Sequence, residues 1–281
     1  MENKAQGLTH PVLDIHVHAL TPGVWTPGML AFVEKANPEE YAAADLHADP
    51  AHLRRILSGL GVDHAVVLAE EAPVTSGMIT SEWVQDYCSG APGLHPFVSL
   101  NPCLGGDPVE RLDLLLERGP VAGIKLLPPY QYWFANDRAM YPVYARAEEL
   151  RLPCTFHTGT SRIPGTRLKY ADPMYLDDVA VDFPELPILM AHSGRGVWYG
   201  HAAMLATFHP NVYLEISGLP PRNLPRYFPE LDRLVDKMVF GSDFPGLPSL
   251  PDNIAAIVEL FGPADARKVL WETGARLLGL I

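Results

Sequence analysis

Residues 11–20 read PVLDIHVHAL, an apolar run in which His16 and His18 alternate with branched aliphatic residues. Residues two apart in a strand project from the same face. The pattern therefore predicts a buried strand whose end presents two imidazoles on one side. Taken alone, this fragment leaves a metal site and a pair of ordinary polar residues equally open.

Seven further short apolar runs follow along the chain, and segments long enough for helices separate them. Continuously apolar strands that alternate with helices indicate a parallel sheet covered on both faces. Eight such units favour an α/β fold of the (β/α)8 TIM barrel type, and the rival doubly wound sheet lacks a G-x-G-x-x-G turn after its first strand. The predicted strands are 12–17, 64–70, 94–100, 121–127, 152–158, 186–192, 211–217 and 237–243. The segments predicted as helices include 78–90, 107–119, 141–150, 172–182, 198–208 and 225–235.

The connections complete the predicted barrel. The long connection between the first strand and the first repeating helix, 19–49, could form a lid over the strand's end. A helix is predicted to follow it, with Asp49 as its N-cap and Pro50 in its first turn. After the last strand, residues 252–262 and 263–281 predict extra C-terminal helices. Since no repeat or linker interrupts the pattern, we expect residues 1–281 to form a single barrel domain.

The composition excludes several classes of partner. The 281 residues carry 33 acidic and 21 basic side chains, a formal net charge of −12, so we expect neither nucleic acid nor a membrane as a partner. No apolar run reaches the roughly 18 residues of a membrane helix, and the N-terminus lacks a secretory signal. Three scattered cysteines form no C-x-x-C pair. A cytoplasmic protein that binds a small molecule fits best, and assembly into a homo-oligomer stays open.

Ionisable residues recur at the carboxyl ends of the predicted strands, which meet at one mouth of a barrel. Taken singly, each has an ordinary structural explanation, such as a turn aspartate. Gathered together without compensation they would be costly, and a shared cation removes that cost. Nitrogen and oxygen ligands suit zinc or another divalent transition metal. The residues are His16, His18, Glu70, Lys125, His157, His192, Glu215 and Asp243.

These motifs, in this order, resemble the amidohydrolase superfamily, in particular its amidohydrolase-related branch, also called amidohydrolase family 2. The marks are DIHVH on the first strand, FHTGTS after the fifth, AHSGRG after the sixth and FGSDFP on the eighth, with GIKLLPPY on the fourth. The likeness runs over essentially the whole chain. It implies a metal-dependent hydrolase barrel in which His16, His18, His157 and Asp243 bind one zinc ion, with His192 beside it as a base.

Lys125 leaves two alternatives open. In two-metal members of the superfamily, a lysine on the fourth strand is carbamylated and bridges two ions, with His157 and His192 on the second ion. In the branch that this chain resembles, one metal is usual and the lysine stays an ammonium that could polarise a substrate carbonyl. We favour one ion. The predicted catalytic residues are then His192, Asp243 and Lys125. Asp243 could share the proton transfer with His192.

Loops at the same end suggest how a substrate is held. Tyr130 and Trp133 belong to an aromatic cluster that could line a pocket, although ordinary packing is the simpler explanation. Arg162 and Arg195 follow His157 and His192, and an arginine there could hold a carboxylate with two hydrogen bonds. We expect these four residues to bind a small acidic substrate.

Two reactions fit these residues. The first is hydrolysis of an amide, ester or lactone bond through a metal-activated water. The alternative is a metal-dependent, non-oxidative decarboxylase (a lyase) of an aromatic or dienoic acid. The short chain, without the insertions expected of decarboxylases, favours hydrolysis. A non-catalytic metal protein is a third class, which a complete ligand set with a spare base disfavours.

Overall fold

Eight parallel strands form a nearly closed barrel in the computed structural model, which describes residues 8–21, 23–246 and 250–281. Neighbouring strands follow chain order, so the predicted (β/α)8 architecture is confirmed. The last strand returns to the first, because Ile15 N donates a hydrogen bond to Phe240 O over 3.0 Å. The strands are Leu13–Val17, His64–Leu68, Leu94–Ser99, Gly123–Leu126, Cys154–His157, Ile188–Ala191, Val212–Glu215 and Met238–Val239.

Helices connect the strands and cover the outside of the barrel. Many begin with a side chain that accepts a hydrogen bond from the first turn, and several carry proline there; Asp49, for example, accepts from Ala51 N, as predicted. None of the described helices is both long and apolar enough to cross a bilayer. The α-helices are Pro27–Ala36, Pro38–Ala42, Pro50–Gly59, Ser81–Ser89, Pro108–Arg118, Pro128–Gln131, Tyr141–Glu149, Leu176–Asp182, Tyr199–Phe208, Leu224–Tyr227, Leu231–Leu234, Leu250–Arg267 and Thr273–Leu277.

Three features differ from the sequence prediction or extend it. A short antiparallel hairpin, Glu70–Ala72 with Gly77–Ile79, follows the second strand and was not predicted. The segment 225–235 holds two short helices in place of one. The long connection 19–49 contains helices of its own, and Met29 and Phe32 from its first helix reach the cavity at the barrel mouth.

An irregularity in the first strand decides where its histidines point. Leu13 and Ile15 belong to the apolar cluster that includes Phe97 and Leu189, whereas Val17 packs in the larger cluster with the surrounding helices. The register against the second strand shifts by one residue between Asp14 and Val17. A bulge of this kind re-aims side chains, and here it coincides with His16.

Candidate metal centre

His16, His18 and Asp243 bring three ligand atoms together at the barrel mouth. Asp243 Oδ1 lies 3.6 Å from His16 Nε2 and 3.4 Å from His18 Nε2. Among the described residues, these three form the one group of metal-ligating types whose ligand atoms all lie within 4.8 Å of one another. Both histidines are buried, and Asp243 is mostly so. Two imidazoles and a carboxylate at this spacing are typical of a divalent transition-metal site.

The segment after the eighth strand carries Asp243 to the histidines. Asp243 N donates to His16 O over 3.0 Å, and His18 N donates to Phe244 O over 2.8 Å, so this segment runs alongside the first strand. Burial would raise the pKa of Asp243, but the adjacent imidazoles of His18 and His16 and the charge of Arg195 outweigh it. They hold the pKa well below its usual range, so this carboxylate is ionised at any physiological pH.

Glu215 and Ser217 stand behind His16. His16 Nδ1 lies 2.8 Å from Glu215 Oε2, and both side chains are fully buried. Burial raises the pKa of Glu215 to about 7, against the opposing effects of the Lys125 charge and the Ser217 hydrogen bonds. Gly241 leaves room for this pair, because a Cβ there would overlap Glu215 Oε1 and would lie 2.8 Å from His16 Cβ.

His157 and His192 lie next to the three ligands, at the ends of the fifth and sixth strands. Their ring centroids are 4.6 Å apart, and the His192 ring lies 5.0 Å from that of His16. His157 Nε2 is buried and has no hydrogen-bond partner among the described residues. Burial, aided by the charges of Lys125 and Arg195, lowers the pKa of both rings well below the usual value, so both are neutral.

Lys125 lies beneath the ligands and does not line the cavity. Its Nζ is 3.4 Å from His16 Nε2, and only 1% of the side chain is exposed. Burial lowers the pKa of Lys125, and the nearby carboxylates Glu70 and Glu215 partly restore it. The structure therefore places Lys125 within reach of His16 Nε2, and not among the residues that line the cavity.

A cavity of about 400 Å³ opens over these residues. Of the residues predicted to bind substrate, Tyr130, Arg162 and Arg195 line it, whereas Trp133 does not. The indole of Trp133 is buried and donates to Gln131 Oε1 over 2.9 Å. Arg195 is pinned by a 3.1 Å hydrogen bond from Nε to the Thr160 carbonyl, and its Nη1 lies 3.8 Å from Asp243 Oδ2.

Glu70, one of the ionisable residues that the sequence predicts at the mouth, faces a histidine there: its Oε1 lies 3.5 Å from His18 Nδ1. Two cavity tyrosines have no role in the sequence prediction. Tyr199 and Tyr227 stack with centroids 4.4 Å apart and ring planes 9° apart. The two tyrosines come from distant segments, so no local pattern pairs them. Of these three residues, only Glu70, at the end of the predicted second strand, could be placed at the mouth from the sequence.

The residues fit a divalent ion by their own chemistry. Three ligand atoms converge, and His157 adds a buried nitrogen without a partner among the described residues, an arrangement that costs free energy unless something binds there. The Nδ1 atoms of His16 and His18 both face carboxylates, at 2.8 and 3.5 Å, as outer carboxylates commonly face metal-ligating histidines.

Comparisons with known proteins identify the family and agree with the fold. The family model described as amidohydrolase matches residues 13–280, while no curated protein matches the chain in sequence. An uncharacterized TIM-barrel protein from Bordetella bronchiseptica is similar in structure, with a TM-score of 0.79 and 22% identity over 96% of this chain and 99% of that one.

Two further solved structures carry named activities. One is a probable 2-pyrone-4,6-dicarboxylic acid hydrolase from Acinetobacter baumannii with citric acid bound (TM-score 0.65, 16% identity, 96% of this chain and 100% of that one). The other is a dihydroxybenzoic acid decarboxylase from Polaromonas sp. JS666 with manganese and 2-nitroresorcinol bound (TM-score 0.72, 13% identity, 97% and 98%). At these identities the likenesses show the fold alone. The match of the family model over nearly the whole chain places this protein in the amidohydrolase family, whose members are metal-dependent enzymes.

Proposed function

We propose that this protein is a zinc-dependent hydrolase that cleaves an amide, ester or lactone bond in a small acidic molecule. The observation that carries the proposal is the convergence of His16, His18 and Asp243 at a cavity that a neutral His192 also lines. His157, with its unpartnered Nε2, would complete the ligand set. A divalent ion, when bound, supplies Lewis-acid activation of a carbonyl group and of a water molecule.

His192 is suited to move the proton. Burial and the charge of Arg195 lower its pKa, so the imidazole is neutral and can accept a proton from the attacking water at Nε2. The same atom can then return the proton to the leaving group. Asp243 stays ionised during this proton transfer, so the ligand set keeps its negative charge. Lys125, beneath the ligands, offsets the negative charge of the buried carboxylates Glu70 and Glu215.

The charges of the site favour one ion and an anionic substrate. With Glu215 ionised, Glu70, Glu215 and Asp243 contribute three negative charges, and Lys125, Arg162 and Arg195 contribute three positive ones. The sum is zero, which one divalent ion turns into +2 and two ions would turn into +4. A substrate carboxylate would offset part of the charge of one ion, and Arg195 and Arg162 line the cavity where such a group would bind. The Tyr130 hydroxyl, 2.8 Å from Ser161 Oγ, offers a further polar contact.

Decarboxylation of an aromatic acid is the second candidate. The stacked pair Tyr199 and Tyr227 gives the cavity a flat aromatic wall, which suits a planar substrate. Chain length no longer separates the two reactions, because the chain covers 98% of the Polaromonas decarboxylase. Hydrolysis stays the first proposal because a neutral base stands beside the metal ligands.

Product analysis in ¹⁸O-labelled water tests the proposal. Zinc-loaded protein is incubated with N-acyl amino acids, carboxylated lactones and 2,6-dihydroxybenzoate, and the products are analysed by mass spectrometry. Hydrolysis places one labelled oxygen in the product, and His192→Ala should slow it by at least about 100-fold. His201→Ala, a change at an exposed histidine bonded to Asp172, is the matched control. Release of CO2 with no labelled oxygen in the organic product would support the decarboxylase instead.

A further inference from the structure

Four buried polar side chains meet behind the metal ligands, where the seventh strand ends. Ser217 Oγ donates to Glu215 Oε2 over 2.9 Å and lies 3.0 Å from Nδ1 of both His16 and His192. Ser217 N also donates to Glu215 Oε1 over 2.7 Å. A single serine therefore touches a metal ligand, the base and the carboxylate that holds the ligand.

The acceptors in this cluster determine where the imidazole protons lie. A backbone carbonyl and an ionised carboxylate can only accept hydrogen bonds. His192 Nδ1 lies 3.0 Å from Ser217 O, and His16 Nδ1 lies 2.8 Å from Glu215 Oε2. With Glu215 ionised, each neutral imidazole therefore carries its proton on Nδ1, which leaves its lone pair on Nε2.

We infer that Glu215 and Ser217 are positioning residues that impose the same tautomer on His16 and His192 and present both Nε2 lone pairs to the cavity. The inference rests on the proposed metal site, since those lone pairs would serve the ion and the proton transfer. It gives the buried Glu215 a role that depends on its charge, not only on its size.

The glutamate cannot be replaced by its amide without a conflict. Both carboxylate oxygens of Glu215 accept hydrogen bonds, one from Ser217 N and the other from His16 Nδ1 and Ser217 Oγ. In Glu215→Gln, an NH2 group replaces one of these two acceptor oxygens, so that two hydrogen-bond donors face each other. The Glu215 side chain is fully buried, with Oε1 beside the backbone of Gly241. The conflict is removed when the His16 proton moves from Nδ1 to Nε2. Nε2 then has no lone pair to offer to a metal ion.

Zinc titration and histidine ¹⁵N NMR of Glu215→Gln and Glu70→Gln test the inference. Glu70→Gln is the control for the tautomers of His16 and His192 alone, because this buried carboxylate of the same cavity faces His18 Nδ1 at 3.5 Å and contacts neither of those two rings. We expect Glu215→Gln to weaken zinc binding by about 10–100-fold, measured against a competing chelator. Metal-free wild-type protein in alkaline buffer should show Nδ1–H on both rings, and so should Glu70→Gln, whereas Glu215→Gln should show Nε2–H on His16. Ser217→Ala should keep the His192 tautomer, because the carbonyl remains.

The outcomes separate this inference from the proposed function. Nε2–H on His16 or His192 in the wild type, or wild-type zinc affinity in folded Glu215→Gln, would overturn the inference while leaving the metal site intact. A folded wild type that binds no zinc would overturn the proposed function. Should Glu215→Gln fail to fold, the tautomers of the metal-free wild type still decide the inference.

Discussion

Replacement of Gly218 by alanine should separate anion binding from folding and from metal binding. Gly218 lines the cavity in a left-handed conformation, with φ of +68°. A Cβ there would overlap Arg195 Nη1, and it would lie 3.1 Å from His192 Nδ1 and 3.2 Å from Asp243 Oδ2. The first contact is impossible without movement, whereas the other two need shifts of only a few tenths of an ångström. The guanidinium of Arg195, the far end of a long and partly exposed side chain, is the group that must move.

The size of each effect follows from these contacts. An L-residue in the left-handed region costs about 1–2 kcal/mol, so the free energy of unfolding should fall by that amount. A displaced guanidinium loses a hydrogen bond to a charged ligand group, which is worth about 1.5–3 kcal/mol. Affinity for a carboxylate should therefore fall by about 10–150-fold. Zinc affinity should change less, because His16 and His18 are untouched and Asp243 Oδ2 needs a shift of only a few tenths of an ångström.

Gly279→Ala is the matched control for this experiment. Gly279 has φ of +65°, and a Cβ added there would meet nothing within 4 Å, so its replacement carries the backbone cost alone. Urea unfolding would measure stability, and calorimetric titration of zinc-loaded protein with benzoate would measure anion affinity. Equal losses of benzoate affinity in Gly218→Ala and Gly279→Ala would refute the idea that Gly218 makes room for Arg195.

Three further changes have expected outcomes. His157→Ala should weaken zinc binding by more than the roughly 10–100-fold of an outer-shell change; unchanged affinity in a chelator competition would remove His157 from the ligand set. Burial and the neighbouring His64 lower the pKa of His95 to about 4, so the unfolded chain takes up the proton first as the pH falls. The contribution of His95 to the free energy of unfolding should therefore decline by about 1–2 kcal/mol between pH 6.5 and 4, allowing for partial exposure; it is measured as the difference between urea titrations of the wild type and of His95→Gln. Asp49→Ala removes a helix N-cap and should cost about 1 kcal/mol in the same assay; no loss would mean that the cap is redundant.

The sequence predicts the barrel well because local patterns specify this fold. A strand buried on both faces must be continuously apolar. Each of the eight apolar runs, the first of which leads to His16 and His18, contains a strand of the barrel. The strand ends also predict the metal residues, since barrel topology brings all carboxyl ends to one mouth. Asp243 could be placed there from its position after the last strand alone.

What the sequence could not predict depends on contacts between distant segments. The bulge that aims His16 inward is a register shift against the second strand, and nothing in PVLDIHVHAL marks it. Ser217 reads as an ordinary strand-end serine until His16 and His192 are found 3.0 Å away. Trp133 belongs to the same aromatic stretch as Tyr130, yet it packs against Gln131 while Tyr130 faces the cavity.

The metal content of the protein, measured by elemental mass spectrometry after zinc loading and removal of free ion, tests the central claim most directly. Wild-type protein should retain about one zinc ion per chain, and Asp243→Ala should retain little or none. Folded wild-type protein that emerges without a bound divalent ion would contradict the claim.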